Sequence, residues 1–183
     1  GNDVGWEEMV NEANASDPFA LLIDPDHQDF VAPSDMLDAI EGFADKTGQS
    51  RPGNAGAYYR ASLEGLALRY RVCLGMLEQL VENRIETIHI VGGGTMNELL
   101  CQMTADACNR RVVAGPVEAT AIGNIVMQMV GTGSIGTGKI DDQAAAVLEA
   151  RQIIKQSFAV KEYVPHDPVI WDEPASRYVS LSG

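Results

Sequence analysis

The chain has 183 residues, of which 45% are hydrophobic and 21% are charged, and its formal net charge is −13. This length predicts about one domain with a substantial core, and no apolar run approaches the roughly 20 residues that a membrane span requires. Lysine and arginine are too thinly spread for the clustered positive surface that binds nucleic acid. The first residues also lack the basic and apolar regions of a secretion signal. We therefore expect a cytoplasmic protein with no membrane or nucleic-acid partner.

The first 30 residues are rich in Asp and Pro, and the stretch Asp24–Asp29 superficially resembles a calcium-binding loop. An EF-hand loop needs glycine at its sixth position, where Asp29 stands, and a bidentate glutamate at its twelfth, where Asp35 stands. We interpret the stretch as a solvated turn. The three cysteines lie in apolar helical patterns that favour buried free thiols, and the three histidines are scattered without a ligand spacing. No metal site is predicted.

A short helix is predicted next. Ser34 can cap its amino terminus, and an apolar stripe continues to about Gly48. Proline and glycine then concentrate in residues 49–57, which predicts a loop.

From about Tyr58 the pattern predicts a long central helix. Its apolar residues recur at three- and four-residue steps, and they are Leu63, Leu66, Ala67, Tyr70, Leu74, Leu77, Leu80 and Val81. Gly65 and Gly75 each cost this helix about 1 kcal/mol relative to alanine. Such glycines suggest close packing against another backbone.

The most informative segment is a β-branched strand, Thr87–Val91, that runs into Gly92, Gly93 and Gly94 and leaves as a helix over about Met96–Ala107. Residues without Cβ allow positive φ and let a flat or anionic ligand approach the backbone, while the helix directs unpaired N–H groups at the same place. A plain tight turn would need one glycine. The turn is therefore interpreted as a ligand site, with a nucleotide as the candidate.

In the remaining sequence, Asn109 is predicted to end the preceding helix in the left-handed conformation, and a strand is predicted at Val112–Ala114. Helices are predicted over about Glu118–Val130 and Asp141–Phe158, followed by a polar tail at 165–183. This order is an α/β pattern with crossover helices and favours a parallel sheet. Two strands alone make a thin sheet. Either the tail and the amino-terminal segment add strands, or the chain is a piece of something larger.

Two segments carry a family resemblance. Residues 92–97 read G-G-G-T-M-N, and residues 114–124 read A-G-P-V-E-A-T-A-I-G-N. With a likeness that extends from about Asp17 to Val164, they resemble the C-terminal nucleotide-binding domain of the FGGY carbohydrate kinases, and within that family they are most similar to the rhamnulokinases. The resemblance implies an α/β, partial actin-like and ribonuclease-H-like domain, helix-rich with a small sheet. Residues 1–183 are then one truncated C-terminal domain.

The family resemblance also implies an activity, the transfer of the γ-phosphoryl group of ATP, with Mg²⁺, to a ketose hydroxyl. The expected acceptor is L-rhamnulose, and L-fuculose is an alternative. It implies that Gly93 contacts the nucleotide through its backbone, flanked by Gly92 and Gly94, and that Asn97 lies near the adenine. A simple helix cap is the alternative for Asn97.

The catalytic aspartate, the phosphate-binding hairpin and the sugar contacts of such kinases come from an upstream lobe and have no counterpart here. No catalytic or metal-binding residue is therefore assigned. We expect the chain alone to bind ATP or ADP weakly, to contact the ketose only through the absent N-terminal lobe, and to be inactive by itself.

Two alternatives to this interpretation remain. Gly133–Lys139 satisfies G-x-x-x-x-G-K, but Ile140 replaces the hydroxyl residue of a phosphate-binding loop and a helical pattern precedes it. A glycine-rich helix exit explains this stretch better. The other alternative is a non-catalytic interaction module, in which apolar helix faces dock a partner. Self-association of the isolated piece is a related expectation.

Overall fold

The computed structural model describes residues 5–136 and 143–181. Within them the α-helices are α1 Trp6–Ala15, α2 Met36–Thr47, α3 Ala55–Val81, α4 Glu98–Cys108, α5 Ala119–Gly131, α6 Gln143–Ser157 and α7 Asp172–Leu181. The strands are β1 Thr87–Ile90, β2 Arg111–Ala114 and β3 Lys161–Tyr163. The prediction of a helix-rich α/β chain with a small sheet is confirmed.

The three strands form one sheet in the order β1-β2-β3. β1 and β2 are parallel, with Ile88 opposite Val112, and α4 is the crossover between them. This confirms the parallel pair that the element order predicts. β3 adds to β2 in the antiparallel direction, with Tyr163 opposite Val112. The extra strand thus comes from residues just before the predicted tail, while residues 6–15 form a helix.

Helix ends follow local signals, with small shifts from the prediction. Asp35, one residue after the expected Ser34, caps α2 by accepting from the N–H groups of Leu37 and Asp38 at 2.7 and 3.2 Å. Asn109 ends α4 with φ 49°, as predicted. The long helix α3 begins three residues before Tyr58, at Ala55, so the loop predicted over 49–57 is shorter than expected.

The central core forms where α3 and α4 cross, covered by residues from both ends of the chain. Its buried members are Leu22, Leu63, Ala67, Leu68, Leu100, Met103, Ala107, Trp171 and Tyr178. The predicted apolar stripe of α3 is therefore buried in its first half. Leu77, Leu80 and Val81 are instead 50%, 80% and 54% exposed, because the described elements leave the last turns of α3 uncovered.

The segment predicted as a polar tail, 165–183, contributes to this core. It contains a short 3₁₀ helix, Pro168–Trp171, followed by α7. Trp171 is 3% exposed and Tyr178 is 0% exposed, while most of the intervening residues face solvent. An amphipathic segment of this kind is polar in composition and is anchored by two aromatic side chains on its inner face.

The cysteines Cys73, Cys101 and Cys108 are free. Burial raises the pKa of Cys101, and it raises the pKa of Cys108 to about 12. At neutral pH these two buried thiols are therefore protonated and unreactive. None of the described helices combines the length and apolar character that a membrane crossing requires.

The two glycines inside α3 differ in their surroundings, and we predict opposite effects on stability. A Cβ at Gly65 would lie 2.5 Å from the Ile23 carbonyl oxygen, which confirms the close approach predicted there. A Cβ at Gly75 meets nothing within 4 Å, so the close approach predicted at Gly75 is wrong. Gly65→Ala should lower the free energy of unfolding by roughly 1–3 kcal/mol through overpacking. Gly75→Ala, the matched control, should raise it by up to about 1 kcal/mol. Urea unfolding measures both, and stabilisation by both variants would contradict the packing described.

Candidate functional site

The glycine turn lies at the carboxyl ends of the parallel strands, beside the turn that follows β2. The N–H of Gly115 donates to the Ile90 carbonyl at 2.8 Å, and the N–H of Gly92 donates to the Pro116 carbonyl at 3.3 Å. These two bonds hold the turns side by side. Ligands of open α/β sheets bind in the crevice outside the carboxyl ends of the strands. The turn is therefore where the topology favours a ligand site.

The backbone of the turn is more regular than the sequence predicts. Residues Gly92–Met96 form a short 3₁₀ helix. Thr95 Oγ1 donates to the Gly92 carbonyl at 2.7 Å, and the N–H of Asn97 donates to the Gly94 carbonyl at 3.2 Å. Of the three glycines, Gly92 alone takes a positive φ, at 75°. Only Gly92 therefore needs to be glycine for conformational reasons.

Gly93 differs from both of its neighbours. A Cβ on Gly94 would lie 3.3 Å from Ile90 Cγ2, so packing limits the side chain there. A Cβ on Gly93 would meet nothing within 4 Å, its φ is not positive, and the residue is exposed. Neither packing nor backbone conformation explains glycine at position 93. The bare backbone of Gly93 leaves room for the close approach of a group from outside the chain.

Asn97 is the amino-terminal cap of α4, one position before the first turn in which the sequence places it. Its Oδ1 accepts from the Leu100 N–H at 3.0 Å, and its Nδ2 donates to the Tyr59 hydroxyl at 2.7 Å. The capping alternative for Asn97 is thus observed. A contact between Asn97 and a purine base stays a prediction. It would use the hydrogen-bonding capacity of the amide that these two bonds do not occupy.

Tyr59 is the residue of this site that sequence reasoning misses. It comes from the first turns of α3, 38 residues before Asn97. Burial raises the pKa of its phenol, and the hydrogen bond with Asn97 partly opposes that rise. Trp6 lies edge-on to the Tyr59 ring with 5.4 Å between centroids. Tyr59 has no sequence signal for this hydrogen bond, because its partner Asn97 is distant in the chain.

The charges at the start of α4 belong to an ion pair. Glu98 is the first residue of the helix, and Lys161 Nζ on β3 lies 2.6 Å from Glu98 Oε1. The hydrogen bond with Glu98 raises the pKa of Lys161. The positive end of the helix dipole favours a carboxylate at this position, and Lys161 neutralises its charge. The pair therefore adds no net charge to the amino-terminal end of α4.

A cleft of about 520 Å³ lies elsewhere, between the end of α1 and the first half of α3. Two arginines line it, and both are engaged within the protein. Arg60 donates to Glu64 Oε1 at 2.7 Å and to the Ala13 carbonyl at 3.0 Å. Arg51 bonds to carboxylates of α2. Glu64 is 1% exposed, and Arg60 compensates its buried charge. We therefore assign Arg60 a structural role in this part of the cleft.

Among residues 5–136 and 143–181, no group of three or more His, Cys, Asp or Glu side chains is arranged to hold a metal ion. The rival phosphate-binding motif begins after α5, which ends at Gly131, so helix rather than strand precedes it. Lys139 and Ile140 of that motif lie outside the described residues. The glycine turn of residues 92–94 is thus the site that both topology and local geometry favour.

Known proteins are similar to this chain in sequence and in fold. Residues 1–132 match the C-terminal domain of the FGGY family of carbohydrate kinases. The rhamnulokinase of Bacteroides thetaiotaomicron is 42% identical over 170 residues, covering 93% of this chain and 33% of that protein. The rhamnulokinase of Bacillus subtilis is 35% identical over 165 residues, covering 90% and 32%. This chain thus spans about one third of the length of these curated relatives.

A solved structure supports the fold. The xylulose kinase from Rhodospirillum rubrum superposes with a TM-score of 0.51 at 21% identity, covering 73% of this chain and 25% of that one. This likeness confirms the predicted partial actin-like, ribonuclease-H-like architecture.

Proposed function

The chain belongs to the FGGY family of carbohydrate kinases and matches the C-terminal domain of those enzymes, and we propose that it is the nucleotide-binding lobe of a kinase that phosphorylates L-rhamnulose at O1. The proposal of this sugar is supported by the rhamnulokinase relatives, at 42% and 35% identity. L-Fuculose is the competing acceptor. ATP supplies the γ-phosphoryl group, and this chain supplies part of the surface that holds ATP.

The observation that carries the proposal is the open backbone of Gly93 at the carboxyl edge of the parallel strands. A Cβ there meets nothing within 4 Å, so a purine ring can reach van der Waals contact with the peptide. Asn97 lies four residues on, with amide hydrogen-bonding capacity beyond its capping bond. Together they offer a flat contact surface and a polar edge, which are what a base requires.

The charges indicate which part of the nucleotide lies over α4. Because the Glu98–Lys161 ion pair adds no net positive charge at the start of α4, and Asn97 already caps the Leu100 N–H, we place the uncharged base here and direct the phosphates away from this helix end. No described cluster of acidic side chains could hold Mg²⁺. We place the ion on the nucleotide phosphates, with protein ligands from the rest of the kinase.

The chain's task in the reaction is to position the donor. Phosphoryl transfer depends mainly on positioning and on charge neutralisation between closing domains. The relatives are about three times as long as this chain, and we place the catalytic aspartate and the sugar contacts in their remaining length. The described chain alone then binds ATP or ADP weakly and transfers no phosphoryl group.

Thermal unfolding with ADP tests this proposal and separates it from a non-catalytic interaction module. With ADP at about 100 times its dissociation constant, mass action adds roughly 2.7 kcal/mol of stability, and the melting temperature of the chain should rise. The same preparation should turn over neither L-rhamnulose nor L-fuculose in a coupled ATP assay. An unchanged melting temperature at saturating ADP would favour the interaction module, and turnover above a mock preparation would contradict the division of labour.

A further inference from the structure

Two helices anchor the side-chain amide of Asn97. Because Oδ1 accepts from the Leu100 N–H at 3.0 Å, the oxygen and the nitrogen of the amide are distinguished by their bonding. The nitrogen then faces the Tyr59 hydroxyl of α3 at 2.7 Å. One bond from α4 and one from α3 leave the amide a single orientation.

The anchored amide has one N–H hydrogen that the bond to Tyr59 does not use. An asparagine Nδ2 carries two hydrogens, and within the described residues its one hydrogen bond is to Tyr59. Asn97 is half-buried, and the 3₁₀ turn that it ends begins with the glycines of the candidate site. A ring nitrogen of a purine held against Gly93 is an acceptor of the kind that this hydrogen needs.

Tyr59 is held firmly enough to fix its partner. Its ring packs against the central core and meets Trp6 edge-on, with an interplanar angle of 67°. Burial raises the pKa of the phenol, so the hydroxyl is protonated at neutral pH. The Tyr59 oxygen is therefore a fixed, uncharged acceptor for the amide.

From this geometry, and resting on the proposed function, we propose that Tyr59 is a positioning residue for nucleotide recognition. Its hydroxyl fixes the Asn97 amide so that the second Nδ2 hydrogen is directed to the purine. Without that hydroxyl the cap bond to Leu100 persists, but the amide nitrogen is no longer held by Tyr59. Fixing its orientation then reduces the binding free energy of the purine.

A double-mutant cycle on ADP affinity tests this coupling. Tyr59→Phe keeps the ring and removes the hydroxyl, and Asn97→Ser keeps a good helix cap but removes the amide donor. We expect about fivefold weaker ADP binding for Tyr59→Phe, which corresponds to one ordinary hydrogen bond. In the Asn97→Ser background the same substitution should have less than about a twofold effect, since a residue that acts through its neighbour shows non-additivity. Tyr70→Phe, on the same helix, is the matched control and should leave affinity unchanged.

Each result decides between distinct explanations. Additive losses, unchanged affinity in Tyr59→Phe, or an equal loss in Tyr70→Phe would overturn the positioning role while leaving the proposed function in place. A fall in melting temperature that accounts for the affinity loss of Tyr59→Phe would also overturn it, because the role is then structural. Absence of ADP binding by the unsubstituted chain would overturn the proposed function and, with it, this inference.

Discussion

Replacing Gly93 with valine should weaken ADP binding by at least about tenfold, equivalent to roughly 1.4 kcal/mol, while leaving the unfolding midpoint nearly unchanged. The new side chain would fill the space that a purine needs for contact with the backbone. Its Cβ would meet nothing within 4 Å in the protein itself, and the φ of residue 93 is not in the left-handed region. Calorimetric titration with ADP measures the affinity, and urea unfolding measures the stability.

The control for this experiment is Gly53→Val. Gly53 is also exposed, and a Cβ there also meets nothing within 4 Å, but it lies in the loop before α3 and lines the cleft beside Arg60, so this variant also reports on nucleotide binding in that cleft. Its affinity for ADP should equal that of the unsubstituted chain. If Gly93→Val and Gly53→Val bind ADP equally well, Gly93 is not in contact with the nucleotide.

The second large effect concerns stability. Tyr178→Ala should lower the free energy of unfolding by about 3–5 kcal/mol, the usual cost of removing a large buried ring. Tyr178 is 0% exposed, and its hydroxyl lies 2.8 Å from Asp24 Oδ1, which is itself buried. Losing the hydroxyl also removes a donor from a buried carboxylate, which costs more than an exposed bond would. Native stabilities are commonly 5–15 kcal/mol, so the variant retains little reserve.

Val179→Ala is the matched control for this core prediction. Val179 follows Tyr178 in the same helix but is 60% exposed, so the change should stay within about 0.5 kcal/mol. Denaturant unfolding of both variants gives the comparison. Equal midpoints for Tyr178→Ala and the unsubstituted chain would mean that residues 165–183 are the dispensable polar tail that their composition suggests.

Elements with a local signal are predictable from this sequence. The run Thr87–Ile90 is β-branched and apolar, glycines follow it, and Asn109 accepts the left-handed conformation that ends α4. β3 could not be found in this way, because three residues show no alternation that differs from chance. Its place is decided by pairing with β2, which is distant in sequence.

Periodicity identifies the apolar face of a helix but says little about what covers it. The pattern in α3 continues to Val81, yet its last turns are exposed. Trp171 and Tyr178 lie in a polar segment, and their burial depends on Leu22 and on residues of α3. Such contacts join opposite ends of the chain and leave no mark in a local window.

The residues of the candidate site also differ in whether they have a local sequence signal. Gly93 is evident from the glycine run, because a strand that enters three glycines is a local pattern. The cap role of Asn97 is also local, since its acceptor bond spans three residues. Tyr59 is different, because its bond to Asn97 joins positions 38 residues apart. Only the packing of α3 against α4 brings the two side chains together.

A crystal structure of the chain grown or soaked with ADP tests the central claim most directly. It should show the purine within about 4 Å of the Gly93 backbone, beside the Asn97 amide and at the carboxyl ends of β1 and β2. A nucleotide lodged in the cleft beside Arg60, with a side chain of the protein covering Gly93, would contradict the site proposed for this domain.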